Sequence, residues 1–211
     1  QSRQSRPGRL WFINQERFAP RTLATLDKGR VEHAPHDHVS ALKLEIMKDS
    51  LVIIPTYNEC ENVVRMIDTV MGLEYPFDLL VVDDGSPDGT AMLVKQCQTK
   101  HPTRVHLLER KGKLGLGTAY IAGFRWALEQ SYDFVFEMDC DFSHDPNDLV
   151  RLRIPCSEGG AGMSVGSRYV KGGGVANWPI NRKILSYGAS IYVNAILGLG
   201  VRDSTAGFVC Y

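Results

Sequence analysis

No stretch of this sequence reaches the roughly 18 uninterrupted apolar residues of a membrane-crossing helix, and no apolar run of about 7–15 residues stands near its start as in a secretory leader. Nothing in it is expected to span a bilayer. Cysteine is sparse: Cys60, Cys97, Cys140, Cys156 and Cys210 are scattered without C-x-x-C spacing, and five thiols cannot close into an intramolecular disulfide set. A reducing compartment is the simpler reading. Net charge is lacking too, since 24 basic and 24 acidic side chains cancel. No global field then favours nucleic acid or an anionic membrane, although local clusters can still act. The 211 residues give room for one domain with a sizeable core and an extension.

Residues 1–46 are rich in Arg, His and Gln, keep no sustained apolar period and show no strand-turn-helix alternation. They are expected to form a poorly ordered or non-native extension. Met47, four residues before the first strong strand, is a candidate native start. His33, His36 and His38 form an H-x-x-H-x-H cluster, but no acids stand behind it at fixed spacing, so no metal site is expected there.

From residue 47 to residue 211 short apolar runs alternate with helical ones, the pattern of a βαβ array around a mostly parallel sheet flanked by helices. Strands are expected at Leu51–Pro55, Asp78–Val82, Arg104–Leu108, Asp133–Met138 and Met163–Gly166. Val63, Ile67, Val70 and Met71 recur at helical spacing between the first two, and Leu93 and Cys97 stand one turn apart before the third. A third helix is expected from Thr118 to Glu129. A fourth should start near Pro146 and be interrupted early by Pro155, and a last one should run from Asn181 to Leu197.

In open parallel sheets the ligand sits beyond the carboxyl ends of the strands. Polar segments recur at those ends: Pro55-Thr56-Tyr57-Asn58-Glu59 after the first strand, Asp83-Asp84-Gly85-Ser86-Pro87-Asp88-Gly89 after the second, and Asp139-Cys140-Asp141 after the fourth. Asp139 and Asp141, one residue apart, can point the same way and hold one hard divalent cation on a diphosphate, or they can simply open a loop and cap the next helix. Their place beside two other acidic segments favours the metal. The second segment is strong turn chemistry. A calcium loop counted from Asp84 fails, because its twelfth position is Lys95 where a bidentate Glu is needed. Asp84 is better placed to accept hydrogen bonds from a base or ribose.

Lys111-Gly112-Lys113-Leu114-Gly115-Leu116-Gly117-Thr118 reads either as an anion-binding loop or as the tight start of a helix. It is no Walker A loop, and a dinucleotide fingerprint begun at Gly115 lacks its third glycine at Tyr120. Arg168 after the fifth strand and Arg182 at the start of the last helix can each clamp phosphate or stand in a solvated ion pair. Trp178 and Tyr192, with the apolar stretch 195–201, read as core or a subunit contact before a membrane face.

With these residues assembled, the sequence from Leu51 to Tyr211, about three quarters of the chain, resembles the dolichyl-phosphate (polyprenyl-phosphate) mannosyltransferase family of inverting GT-A-type glycosyltransferases. Its most specific runs are Pro55–Glu59, Asp83–Thr90, Lys113–Tyr120 and Gly166-Ser167-Arg168-Tyr169. The resemblance implies that Pro55, Tyr57, Glu59, Val82 and Asp84 line the nucleotide pocket. It further implies that Asp139 and Asp141 hold Mg²⁺ or Mn²⁺ on the diphosphate, with Ser143 able to add a third contact, and that Arg168 and Arg182 face the donor and acceptor phosphates. Cys140 stands where the family commonly has Ala, a small change if the thiol stays protonated.

The implied reaction is transfer of mannose from GDP-mannose to dolichyl or polyprenyl phosphate, with inversion, by an enzyme peripheral to the cytoplasmic face of a membrane. Asp141, Arg168 and Arg182 are its candidate catalytic residues. The family's catalytic domain continues past the segment matching 206–211 with a further arginine and lipid-facing helices, so the chain is expected to be a fragment lacking its C-terminal part. The alternatives are a polyprenyl-phosphate glucosyltransferase using UDP-glucose, and a catalytically idle nucleotide-sugar-binding module.

Overall fold

The computed structural model describes the backbone of residues 11–13, residues 49–167, and residues 188, 192, 193, 196, 203 and 205–211. Two apolar runs form the centre of the sheet. Strand β2, Ser50–Thr56, is buried along its length apart from the half-buried Pro55, and β3, Asp78–Asp83, is buried throughout. Such continuous runs, without alternation, belong to parallel strands covered on both faces. They pair in parallel with each other, and β2 and β3 pair in parallel with β5, Phe134–Glu137, and β4, Val105–Glu109, respectively.

Each parallel step needs a crossover, and the helices supply it. Helix α1, Val63–Met71, and helix α2, Thr90–Lys100, cover one face. There Val63, Met66, Ile67, Val70, Val94 and Cys97 pack with Val52, Ile54, Leu79, Val81 and Phe136. Helix α3, Leu116–Glu129, covers the other face with Ala119, Tyr120 and Ala127 against Leu51, Ile53, Leu80 and Val82. Here a close approach demands glycine: a Cβ on Gly123 would stand 2.6 Å from Ile53 Cγ2.

Beyond β5 the sheet changes direction. The full order is β1-β6-β7-β5-β2-β3-β4, with β1 at Trp11–Ile13, β6 at Met163–Val165 and β7 at Val209–Cys210. Strand β7 runs antiparallel between β5 and β6. The expected strands are present within one or two residues of their expected ends, while β7 has no counterpart in the sequence reading. Two residues are too few to show a period.

Two further expectations are corrected. Within the segment expected to lack regular structure, Trp11–Ile13 forms strand β1, antiparallel to β6 at the sheet edge. An apolar Trp-Phe-Ile run suits such an edge. Near the chain's fourth helix, a single 3₁₀ turn at Pro146–Asp148 leads into α4, Leu149–Ser157, and Pro155 lies inside that helix. The proline forfeits only one backbone bond close to the helix end, and its ring is buried. Of the expected last helix only Gly188, Tyr192, Val193 and Ile196 are described, all with helical backbone, and Tyr192 is exposed. The His33, His36 and His38 cluster and Trp178 lie outside the described residues.

The ends of the strands away from the site carry a separate polar network. Asp49 accepts from Ser50 Oγ at 2.7 Å and from the Tyr75 hydroxyl, and Arg153 of α4 donates to Asp49 Oδ2 at 2.6 Å. The Arg153 guanidinium also lies over the rings of Tyr75 and Phe134, at 4.4 and 4.6 Å. This network ties α4 to the start of β2 and takes no part in the site.

Candidate active site at the carboxyl ends of the strands

The loops leaving β2 and β3 are tied together by side chains of the second. Asp83, 1% exposed, accepts from Thr56 Oγ1 at 2.9 Å, from the Ser86 amide at 2.9 Å and from Ser86 Oγ at 2.6 Å. Ser86 Oγ in turn accepts from the Asn58 amide, Thr90 Oγ1 from the Glu59 amide and Asp88 Oδ2 from the Cys60 amide, each at 3.0 Å. Asn58 takes a φ of 62°, a left-handed conformation that Asn tolerates better than most residues. The Asp-Gly-Ser-Pro-Asp-Gly-Thr run is thus a scaffold that presents Tyr57 and Glu59. The Thr90 hydroxyl, assisted by the Cys60 and Thr90 amides, holds the Asp88 carboxyl well below the usual carboxylate range.

Asp84 plays a different part. Arg110, directly after β4, grips it with two bonds, Nε to Oδ1 at 2.5 Å and Nη2 to Oδ2 at 2.9 Å, and the Leu114 amide adds a third at 3.1 Å. Burial alone would raise this carboxyl, but the Arg110 and Leu114 hydrogen bonds prevail and hold it below its ordinary value. One carboxylate therefore pins both flanks of the glycine-rich loop. Within that loop, Lys113 Nζ stands 4.4 Å from the centroid of the Tyr57 ring. The loop then turns into α3 through Gly115, whose φ of 98° suits glycine alone.

The third segment continues from β5. Asp139 is half-buried; the Tyr120 hydroxyl of α3 donates to its Oδ1 at 3.3 Å, and Gly207 packs against its Oδ2. Asp141 is exposed and accepts the Ser143 amide at 2.9 Å, across Phe142 at a φ of 56°. Between them Cys140 is 3% exposed. Burial first, then the negative charges of Glu59, Asp141 and Asp139, push its thiol up to about 12. The thiol stays protonated at neutral pH, as the sequence reading required. Glu137 is also raised, by burial and by Asp139.

Among the described residues no group of three or more His, Cys, Asp or Glu is assembled for a metal ion. Two carboxylates from one strand end are nonetheless a fitting donor set for Mg²⁺ or Mn²⁺ shared with a diphosphate, because such ions take one or two carboxylates and complete their shell with phosphate oxygens and water. A carboxylate has two oxygens with about four lone-pair sites, so the Ser143 amide on Asp141 Oδ1 is compatible with a shared cation.

Of the residues singled out in the sequence, Tyr57, Glu59, Asp84, Asp139, Cys140, Asp141 and Ser143 occupy these three strand-end segments. Pro55 and Val82 pair in register one step before the ends of β2 and β3, and the Val82 side chain lies wholly within the core under α3. Arg168 and Arg182 lie outside the described residues. Sequence reasoning missed Arg110, although the strand-end rule applied equally to the segment after β4. It also missed the binding together of two loops by Asp83, Ser86, Asp88 and Thr90, which no spacing announces.

Residues 51–209 match the family described as glycosyl transferase family 2. The polyprenol monophosphomannose synthase of Mycolicibacterium smegmatis is 48% identical over 162 residues, covering 77% of this chain and 61% of that protein. The undecaprenyl-phosphate mannosyltransferase of Micrococcus luteus is 46% identical over 161 residues, covering 76% and 65%. The chain therefore spans somewhat over three fifths of the length of these relatives. Among solved structures, glucosyl-3-phosphoglycerate synthase from Mycobacterium tuberculosis, in complex with Mn²⁺, UDP and glucosyl-3-phosphoglycerate, superposes with a TM-score of 0.56 at 21% identity, over 85% of this chain and 62% of that one. That likeness is one of fold, and it agrees with the GT-A-type α/β arrangement implied by the resemblance. With its parallel strands, its strand-end segments and nearly all of its described residues inside the matched stretch, the chain belongs to glycosyl transferase family 2.

Proposed function

We propose that this chain carries the donor-binding part of an inverting glycosyltransferase that moves mannose from GDP-mannose to a polyprenyl or dolichyl phosphate. The observation that carries the reading is the placing of Asp139 and Asp141 directly after β5, at the carboxyl edge of the parallel strands, with the loops after β2 and β3 tied together beside them and the loop after β4 pinned by Asp84. The choice of sugar and acceptor is supported by the activities for which the mycolicibacterial and micrococcal relatives are named.

Pro55, Tyr57, Glu59 and Asp84 would line the nucleotide, with Val82, buried under α3, supporting them from beneath. Asp139 and Asp141, with Ser143 beside them, would hold Mg²⁺ or Mn²⁺, which when bound neutralises the donor diphosphate and stabilises charge on the departing GDP. A phosphate monoester has a second pKa near about 6, so the acceptor is already largely anionic at neutral pH and needs no dedicated base. Its oxygen attacks C1 of mannose while the bond from C1 to the GDP oxygen breaks, and in-line displacement on an α-linked donor gives a β-linked product. Arg168 and Arg182, assigned by resemblance, would offset the repulsion between donor and acceptor phosphates, an electrostatic and positioning role.

The reaction belongs at the cytoplasmic membrane surface, where a lipid phosphate presents its headgroup. Among the described residues no helix is long and apolar enough to cross a membrane, and all five cysteines are free. Product analysis tests the proposal: protein, Mn²⁺ and polyprenyl phosphate are incubated with GDP-mannose or UDP-glucose. A mannolipid from GDP-mannose alone is expected. A glucolipid would favour the UDP-glucose alternative, and GDP-mannose binding without any product would favour a binding module.

A further inference from the structure

We propose that Cys156 and Cys210 form an oxidisable dithiol, which a peroxide closes into a disulfide that staples α4 to β7. The pair takes no part in donor binding and stands whichever sugar the protein transfers.

Cys156 lies half-buried in the last turn of α4, and Cys210 is the fully buried end of β7. The Cys156 thiol donates to the carbonyl oxygen of Cys210 at 3.8 Å, and its side chain packs against the core cluster that contains Cys210. The two thiols also hydrogen-bond each other. A disulfide forms between side chains that already face one another from closely packed backbones. Here one backbone is fixed by the sheet, since Cys210 pairs with Phe136 on one side and Ser164 on the other. A second contact holds the same region together: Phe208, just before β7, stacks on His144, in the loop leading to α4, with ring centroids 5.0 Å apart.

The two sulfurs differ in character as an attacking and a resolving thiol must. The hydrogen bond from Cys210, helped by the Arg153 charge, outweighs burial and holds the Cys156 thiol below its ordinary value. The same hydrogen bond, then burial, pushes the Cys210 thiol up, so it keeps its proton. The remaining cysteines lack this arrangement: Asp88 raises Cys60, and Cys97 and Cys140 are buried. The Cys156 thiolate attacks one peroxide oxygen, the O–O bond breaks and hydroxide leaves, giving a sulfenic acid. The Cys210 sulfur then attacks the Cys156 sulfur, the S–O bond breaks, and the Cys210 proton leaves with that oxygen as water. Two thiols lose two electrons, and one peroxide becomes two waters. The bond closes a loop across 54 residues and so removes freedom from the unfolded chain.

Peptide mapping tests this. The reduced, folded chain is freed of reductant, treated with equimolar hydrogen peroxide, blocked with N-ethylmaleimide and analysed by mass spectrometry without reduction. The five free thiols should fall to three, with one cross-linked peptide pair joining Cys156 to Cys210. The melting temperature should rise by about 5 °C or more and return on reduction. Cys156→Ser should show neither the cross-link nor the rise. Five thiols left free, Cys156 bonded to another cysteine or a second chain, or Cys156 carried to a sulfinic acid with Cys210 still free would each overturn the proposal. So would a cross-link that lowers the melting temperature, since the thiols would then be misplaced for a bond in the native fold.

Discussion

A Cβ placed on Gly207 would stand 2.9 Å from Oδ2 of Asp139, so the segment returning to the sheet as β7 lies directly against one of the two carboxylates at the end of β5. The Tyr120 hydroxyl reaches the other oxygen of the same side chain. Asp139 is thus held from two sides, by α3 and by the return segment, while Asp141 stands exposed. The proposed metal pair combines one fixed carboxylate with one accessible one.

Gly207→Ala should therefore disturb the site without unfolding the protein. Its φ lies outside the positive range, so alanine fits the backbone, and the added methyl must displace the Asp139 carboxylate by a few tenths of an ångström. A misplacement of that order in a metal shell costs about tenfold or more in affinity. Calorimetry with GDP and Mn²⁺ should show that loss at an unchanged melting temperature. An unchanged affinity would show that Asp139 can shift freely.

Cys140→Ala should keep GDP affinity within about threefold, because a thiol whose pKa is raised to about 12 supplies no thiolate near pH 7. For the same reason Cys140 should resist alkylation in the native protein at pH 8. Rapid native-state labelling of this residue, read by peptide mass spectrometry, would contradict its burial.

Removing the far network separates stability from site chemistry. Arg153→Met leaves Asp49 largely buried without its main charge partner, and such a break costs about 3–5 kcal/mol in well-buried pairs. Both side chains keep slightly over a tenth of their surface in water, so about 2–4 kcal/mol is expected from denaturant unfolding. GDP affinity of the folded variant should not change.

The acid side of the stability profile should depend on Asp88. Its folded-state pKa lies below the ordinary value of about 3.9, so its contribution is fully present above that value and is lost as pH falls through the depressed folded value. Asp88→Asn should lower the melting temperature at pH 6, and the gap to wild type should close as pH falls below about 4. A gap that stays constant with pH would remove Asp88 from the loop scaffold.

How much of this the sequence disclosed follows from the kind of signal involved. Ser50–Thr56 and Asp78–Asp83 are legible because strands buried on both faces leave continuous apolar runs, and the strand-end rule then points to Tyr57, Glu59, Asp84, Asp139 and Asp141. Val209–Cys210 is too short to carry a period, and its place between β5 and β6 depends on partners far away in the chain. Pro155 misleads because its penalty is small near a helix end. Asp84 was legible as a site residue, whereas its grip on Arg110 and Leu114 was not, since 26 and 30 residues separate the partners and only the fold brings them together.

The carboxylates after β5 are proposed to hold the metal through which a GDP-linked donor binds. Titration of GDP into the wild-type chain and Asp141→Ala, each with Mn²⁺ and with chelator, measures it directly. Mn²⁺ should tighten GDP binding to wild type by about tenfold or more, and folded Asp141→Ala should lose nearly all of that difference because one carboxylate leaves an incomplete hard-oxygen site. A folded Asp141→Ala protein that binds GDP with the metal dependence of wild type would contradict it.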